Sequence, residues 1–158
     1  MSLVPSVEKM ASEPWLSFQL DGQYYAVLLS HVSEVIRDCT PTPVPGAAAD
    51  LLGICHLRGN IVPVMDGRRR LGLNHAAAVD PASVRIVVFA HDTHRVGLRV
   101  DAVGELIQPK VGAIEQPLGR SGRTDDPVQA VMGWQGGFVA LLDVARLCRL
   151  HQELKDVA

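Results

Sequence analysis

Arg68, Arg69 and Arg70 are consecutive, and three guanidinium groups in a row could meet a nucleic-acid backbone, an acidic lipid or an acidic protein surface. The plainer reading is a solvated strand end. Residues 119 to 123, from Gly119 to Arg123, look superficially like a phosphate loop but lack the closing Lys-Ser/Thr pair and any strand leading into a helix. His91 and His94 are three apart on a hairpin turn, with no cysteine or carboxylate cluster of metal-ligand spacing, and read as surface histidines. Nucleophilic chemistry needs a Ser, Cys or Thr with a placed base, and no G-x-S-x-G, H-E-x-x-H or P-loop pattern occurs. Cys55 lies inside a strand pattern, where an inert buried thiol is expected. Cys39, Cys55 and Cys148 are odd in number and widely separated, so no disulfide framework is implied and a reducing cytoplasm fits. The residues point to no enzyme and no cofactor.

Composition agrees. The 158 residues suffice for one compact domain or two very small ones, and 47 % of them are hydrophobic. A net charge of -2 supplies no general positive field for phosphate backbones. With 4 % aromatic residues, 14 Gly and 10 Pro, the interior must be aliphatic and the chain heavily turned, which suits many short strands. No window approaches a membrane span, and the first residues lack the basic patch and apolar run of a signal peptide, so neither membrane insertion nor export is expected.

The elements that must position these groups are hairpins. Residues 1–14, with Pro5 and Pro14, read as a flexible tail. Alternation begins at Trp15, turns at Asp21-Gly22 and returns through Tyr25 to Leu29. After His31 to Ile36, Pro41, Pro43 and Pro45 force an extended connection. Gly59-Asn60 is the expected turn between Leu52 to Leu57 and Ile61 to Asp66, with Pro63 marking an edge strand or bulge. A connector over about 74–83 leads to strands Val84 to Ala90, Val96 to Val100 and Val103 to Ile107. Residues 115–128 read as a long mobile loop, Gln135-Gly136-Gly137 as a third hairpin turn, and 143–154 as a helix capped by Asp143.

An internal repeat orders this list. Phe18 to Ile36 aligns without gaps on Phe89 to Ile107 at a shift of 71 residues, and the segment ending at Asp66 aligns on that ending at Asp143 at a shift of 77. Two similar small β units follow, each marginal alone, which must pack on one another. The repeat places Gln135 opposite Arg58, so the framework does not require a cation there. Arg58 therefore serves a contact, an ion pair with Glu34, or both. Glu105 repeats Glu34 without an arginine opposite, which favours a structural carboxylate in both copies.

From about Trp15 to Leu150 the residues resemble the CheW family of bacterial chemotaxis coupling proteins. The resemblance rests on Phe18-x-Leu-x-Gly-x-x-Tyr-Ala-Val27, Val32-Ser-Glu-Val-Ile36, Pro43-Val-Pro45, Leu52-Gly-Ile-x-x-Leu-Arg-Gly-x-Ile-Val-Pro-Val-x-Asp66, Arg70-Leu-Gly-Leu73, Val96-Gly-Leu-x-Val-Asp101 and Val139 to Asp143. It implies a mainly β fold of two five-stranded SH3-like barrels on a shared hydrophobic junction. The first barrel would span about 15–73, the second about 84–142, and a short C-terminal helix about 143–154. It further implies a non-catalytic adaptor between the cytoplasmic tip of methyl-accepting chemoreceptors and the regulatory domain of a CheA-type histidine kinase, cytoplasmic, in receptor arrays at the inner membrane. A monomer is expected in isolation, because the shared junction already consumes the main apolar faces. By resemblance Val32, Glu34, Gly53 and Arg58 face receptors, and Ile61, Val62, Pro63 and Val64 lie near the kinase contact. The chain departs from the family at Gly67, usually hydrophobic, and in the polar, glycine-rich 115–128 segment. The rival reading is a small OB-like or SH3-like nucleic-acid-binding barrel that uses Arg68 to Arg70 and needs exposed aromatic residues for stacking.

Overall fold

Three two-residue turns fold the chain back on itself, and in each both residues adopt positive φ: Asp21-Gly22 (54° and 76°), Arg58-Gly59 (52° and 81°) and Gln135-Gly136 (49° and 78°). That geometry matches the right-handed twist of paired strands, which is why the second residue is glycine each time. The central turn is therefore Arg58-Gly59, one residue earlier than the sequence suggests, and Asn60 opens the next strand opposite Leu57. The structure is a computed structural model that describes residues 7–73, 78–91, 93–116 and 126–148.

The strands are β1 (Trp15–Leu20), β2 (Gln23–Leu28), β3 (Val32–Arg37), β4 (Leu51–Leu57), β5 (Asn60–Asp66), β6 (Arg85–His91), β7 (His94–Val100), β8 (Ala102–Ile107), β9 (Ile114–Glu115), β10 (Val128–Trp134) and β11 (Gly137–Leu142). Among the described residues three single-turn α-helices accompany them: α1 (Val7–Met10), α2 (Gly67–Arg70) and α3 (Val144–Leu147). One sheet runs β3-β6-β7-β5-β4 and the other β8-β1-β2-β11-β10, with short β9 added at its edge. These are the two five-stranded SH3-like barrels.

Their membership corrects the contiguous division at about 73 and 84. The β1–β2 hairpin lies in the sheet of β8, β10 and β11, and the β6–β7 hairpin in that of β3, β4 and β5. Each repeat thus gives its first hairpin to the other. The registers show the reciprocity: Val32, Val35 and Ile36 pair with Phe89, Val87 and Ile86, while their repeat equivalents Val103, Leu106 and Ile107 pair with Phe18, Leu16 and Trp15. Parallel ladders close both sheets, Val64 opposite Gly97 and Leu141 opposite Ala26.

Alternation of side chains on these strands produces three cores. Ile86 and Val88 face a cluster with Val62 and Val64 inside one barrel, while Val87 and Phe89 face a larger cluster with Phe18, Leu20, Val27, Leu98 and Leu142 at the junction. Trp15, Ala26, Val139 and Leu141 fill the other barrel. Strands buried on both faces read as continuous apolar runs, as Ile86 to Phe89 does. Pro63 is interior rather than at an edge, because β5 lies between β7 and β4. Ile54, opposite it, turns its backbone N–H and C=O to Thr42 (2.9 and 2.8 Å), and the β7 ladder starts only at Val64, so the ladders do not call on a Pro63 N–H.

Other expectations change with packing. Residues 7–14 are not a tail: Met10 is buried, Trp15 Nε1 donates to the Met10 carbonyl (2.8 Å), and Gln108 donates to the carbonyl of Ala11 (2.6 Å). Cys39 and Cys55 are disulfide-bonded, against the expectation of none, because the segment after β3 folds back across β4 and brings together cysteines 16 residues apart. Asp143 caps α3 as expected, accepting from Ala145 N (2.9 Å), and Asp66 caps α2 in the same way. The rest of the expected 143–154 helix and the middle of the 115–128 loop lie outside the described residues.

Cys148 is fully buried and not disulfide-bonded, and burial pushes its thiol up to about 12. Its unfolded counterpart ionises near 9.0. Stability linked to the neutral thiol is therefore complete below pH 9 and lost as pH rises toward 12. We expect Cys148 to resist alkylation at pH 8 until the protein unfolds, and Cys148→Ala to flatten the fall in melting temperature between pH 9 and 11. Rapid alkylation of the folded protein would contradict this burial.

Candidate functional site

At the tip of the β4–β5 turn the left-handed Arg58 projects its side chain, 73 % exposed, toward Glu34 on β3. Arg58 Nε stands 3.4 Å from one Glu34 oxygen and Nη2 donates to the other at 3.4 Å. Arg95 on β7 adds a weaker charge contact to Glu34 at 4.0 Å. So exposed a pair contributes at most about 1 kcal/mol, which removes the case for Arg58 as a buried anchor. Non-glycine residues in this backbone region are uncommon and cluster at functional positions.

The repeat supplies an internal control. Gln135, also left-handed, donates from Nε2 to Glu105 Oε1 at 2.9 Å, so the second barrel makes the same contact with a neutral donor. Glu105 thus has a partner after all. Its surroundings repeat too: Val35 and Ile61 are exposed in one barrel, and their equivalents Leu106 (53 %) and Phe138 (67 %) in the other. Sequence reading placed Gln135 opposite Arg58 but missed Leu106 and Phe138 as surface features, although the repeat alignment carried the signal.

The other expected site residues divide by what they offer. Val32 is half-buried against the junction core and pairs with Phe89, beside a bulge that separates it from Glu34 in register. Gly53 is buried with φ at 149°, and a Cβ there would overlap the Thr42 carbonyl. Its part is to let residues 42 and 43 cross β4. Of Ile61 to Val64, only Ile61 is exposed (61 %), while Val62 and Val64 lie in the barrel core and Pro63 is buried.

The basic run is not a solvated strand end. Arg68 is mostly buried and grips Asp101 through Nε (3.2 and 3.1 Å) and Nη2 (2.8 Å), and that hydrogen-bonded carboxylate holds the guanidinium above its ordinary value. Arg70 donates to the carbonyls of Leu147 (3.0 Å) and Arg146 (2.6 Å) at the end of α3. Arg69 is exposed but reaches Ala49 O (3.2 Å) and Asp66 (3.5 Å). The aromatic rings a nucleic acid would stack on are largely interior, since Trp15, Phe18, Tyr25 and Phe89 are buried and Tyr24 packs edge-on against Trp134 at 4.9 Å. Among the described residues no cluster of three or more His, Cys, Asp or Glu is placed to hold a metal ion, and no helix is long and apolar enough to cross a membrane.

Comparison with known proteins agrees with this architecture. The CheW-like domain model matches residues 14–152. The chain is 28 % identical to the chemotaxis protein CheW of Bacillus subtilis over 139 residues, covering 87 % of this chain and 88 % of that protein. It is 37 % identical to the chemotaxis protein CheW of Rhizobium meliloti over 94 residues, 58 % of each. The crystal structure of the scaffolding protein TtCheW from Thermoanaerobacter tengcongensis superposes with a TM-score of 0.75 at 26 % identity, covering 87 % of this chain and 92 % of that one.

Proposed function

The chain belongs to the CheW family and is a chemotaxis adaptor, and from that premise we propose that it joins the cytoplasmic tip of methyl-accepting chemoreceptors to the regulatory domain of a CheA-type histidine kinase. It performs no reaction of its own in that role and works in receptor arrays at the inner membrane. In isolation it is a monomer, because the junction core already uses the main apolar faces of both barrels.

One observation carries the receptor side. Gln135 makes in the second barrel the contact Arg58 makes in the first, so the fold needs only a hydrogen-bond donor there. The exposed positive charge of Arg58 is thus surplus to the framework and available to a partner, with Glu34 setting its direction. Val32 and Gly53 shape the strands behind it. On the kinase side Ile61 is the side chain that β5 presents, and Val62, Pro63 and Val64 hold that strand in the barrel. A nucleic-acid barrel is not favoured, since the arginines it would use are bonded within the protein.

Arg58→Glu tests the assignment. Calorimetric titration with a receptor tip fragment is expected to show at least about tenfold weaker binding, while binding to the kinase regulatory domain is retained. The melting temperature should move by no more than about 4 °C, as suits the loss of an exposed pair in a protein of this size. Unchanged receptor affinity, or a large fall in melting temperature, would make Arg58 a framework residue.

A further inference from the structure

Neither Cys39 nor Cys55 has been given a part in the adaptor role. Cys55 lies in the barrel core with Val62, Val64, Ile86 and Val88, and Cys39 packs against that core while keeping part of its surface in solvent. Between them runs the proline-rich connector of residues 40–50. Its start is held by Arg99, which donates to the Cys39 carbonyl (3.0 Å) and to Asp38 (2.8 Å). Its end is held where Asp66 N donates to the Asp50 carbonyl (2.8 Å). Over β4 it is held by the reciprocal Thr42–Ile54 bonds, beside Gly53.

We infer that Cys39 and Cys55 form a thiol–disulfide exchange site, a redox latch that fastens this connector onto β4 when oxidised and loosens it when reduced. The oxidant is a small disulfide of the glutathione class. The Cys39 thiolate, the more accessible, attacks one sulfur of that disulfide, forming a mixed disulfide and releasing one thiolate. The Cys55 thiolate then attacks the Cys39 sulfur and releases the second. Two protein thiols are oxidised, one small disulfide is reduced to two thiols, and the protons leave with them. Cys148, fully buried, takes no part. The chemistry of the latch is independent of the docking assignments; only its consequence for the surface around Gly53 rests on them.

The test uses the full chain, reduced and then incubated with oxidised glutathione, with free thiols blocked before unfolding. Cleavage before Asp50 separates the two cysteines in sequence, so the fragments are expected to stay joined until a reductant is added. Amide exchange at Thr42 and Ile54 should be at least about tenfold slower in the oxidised protein than in the reduced one. Cys39→Ser should abolish that difference, and the comparison within the wild-type chain decides the matter without the variant. Failure of the folded protein to form the 39–55 link, or formation of the link with unchanged exchange at Thr42, would overturn the latch.

Discussion

Gly53→Ala is expected to lower stability by about 2–4 kcal/mol, a large share of the roughly 5–15 kcal/mol that holds a domain together. Two costs combine. The backbone at φ 149° is one that residues with a Cβ rarely adopt, and the added methyl would overlap the Thr42 carbonyl oxygen and come within 2.6 Å of its carbon. Neither obstacle is the flexible end of a side chain, so the connector must lift from β4 and the Thr42–Ile54 bonds must stretch or break. Gly59→Ala is the control. It also has positive φ, at 81°, but nothing lies within 4 Å of its added Cβ, so only the conformational cost of about 1 kcal/mol remains. In urea titrations the Gly53 variant should show a clearly lower midpoint than the Gly59 variant, and equal midpoints would mean that the crossing at Thr42 does not constrain the fold. A receptor-binding defect in a Gly53 variant therefore reports on this crossing before it reports on a contact.

Asp101→Ala is expected to cost about 2 kcal/mol, between the value of an exposed ion pair and that of a fully buried one. The carboxylate accepts from Arg68 and from the Asp21 backbone N–H (2.7 Å), so its removal leaves a mostly buried guanidinium without its chelating partner and a turn amide without its acceptor. It also unties the two repeats, since Arg68 follows β5, Asp101 follows β7, and Asp21 tips the β1–β2 hairpin in the other sheet. Asp38→Ala is the comparison: its Arg99 pair is more exposed and should be worth under about 1 kcal/mol. Denaturation midpoints for the two variants decide the point, and an Asp101 loss as small as that of Asp38 would return the Arg68 to Arg70 run to the solvated surface.

The hairpins were legible because their signals are local. Asp-Gly and adjacent glycines mark turns, and β-branched runs mark strands, so the repeat could be read as two copies of one hairpin plan. Arg58 was legible for the same reason, as the position where two copies of a turn differ in charge. The turn at Arg58-Gly59 was displaced by one residue because a left-handed arginine is not signalled by residue type, and Asn60 is itself a common turn residue.

What the sequence by itself determined was the family, the strands, the repeated unit and the pair of positions, Arg58 and Gln135, whose difference points to a contact. What only the tertiary structure decided was which strands share a sheet, since the exchange of hairpins rests on parallel ladders between β5 and β7 and between β2 and β11 that join segments far apart in the chain. The same holds for the arginine run, whose partners Asp101, Leu147 and Arg146 are 33 to 77 residues away, and for the meeting of Cys39 with Cys55. Local residue patterns encode backbone propensity and burial, but a side chain's partner is set by how sheets close and pack, and that is a property of the whole chain.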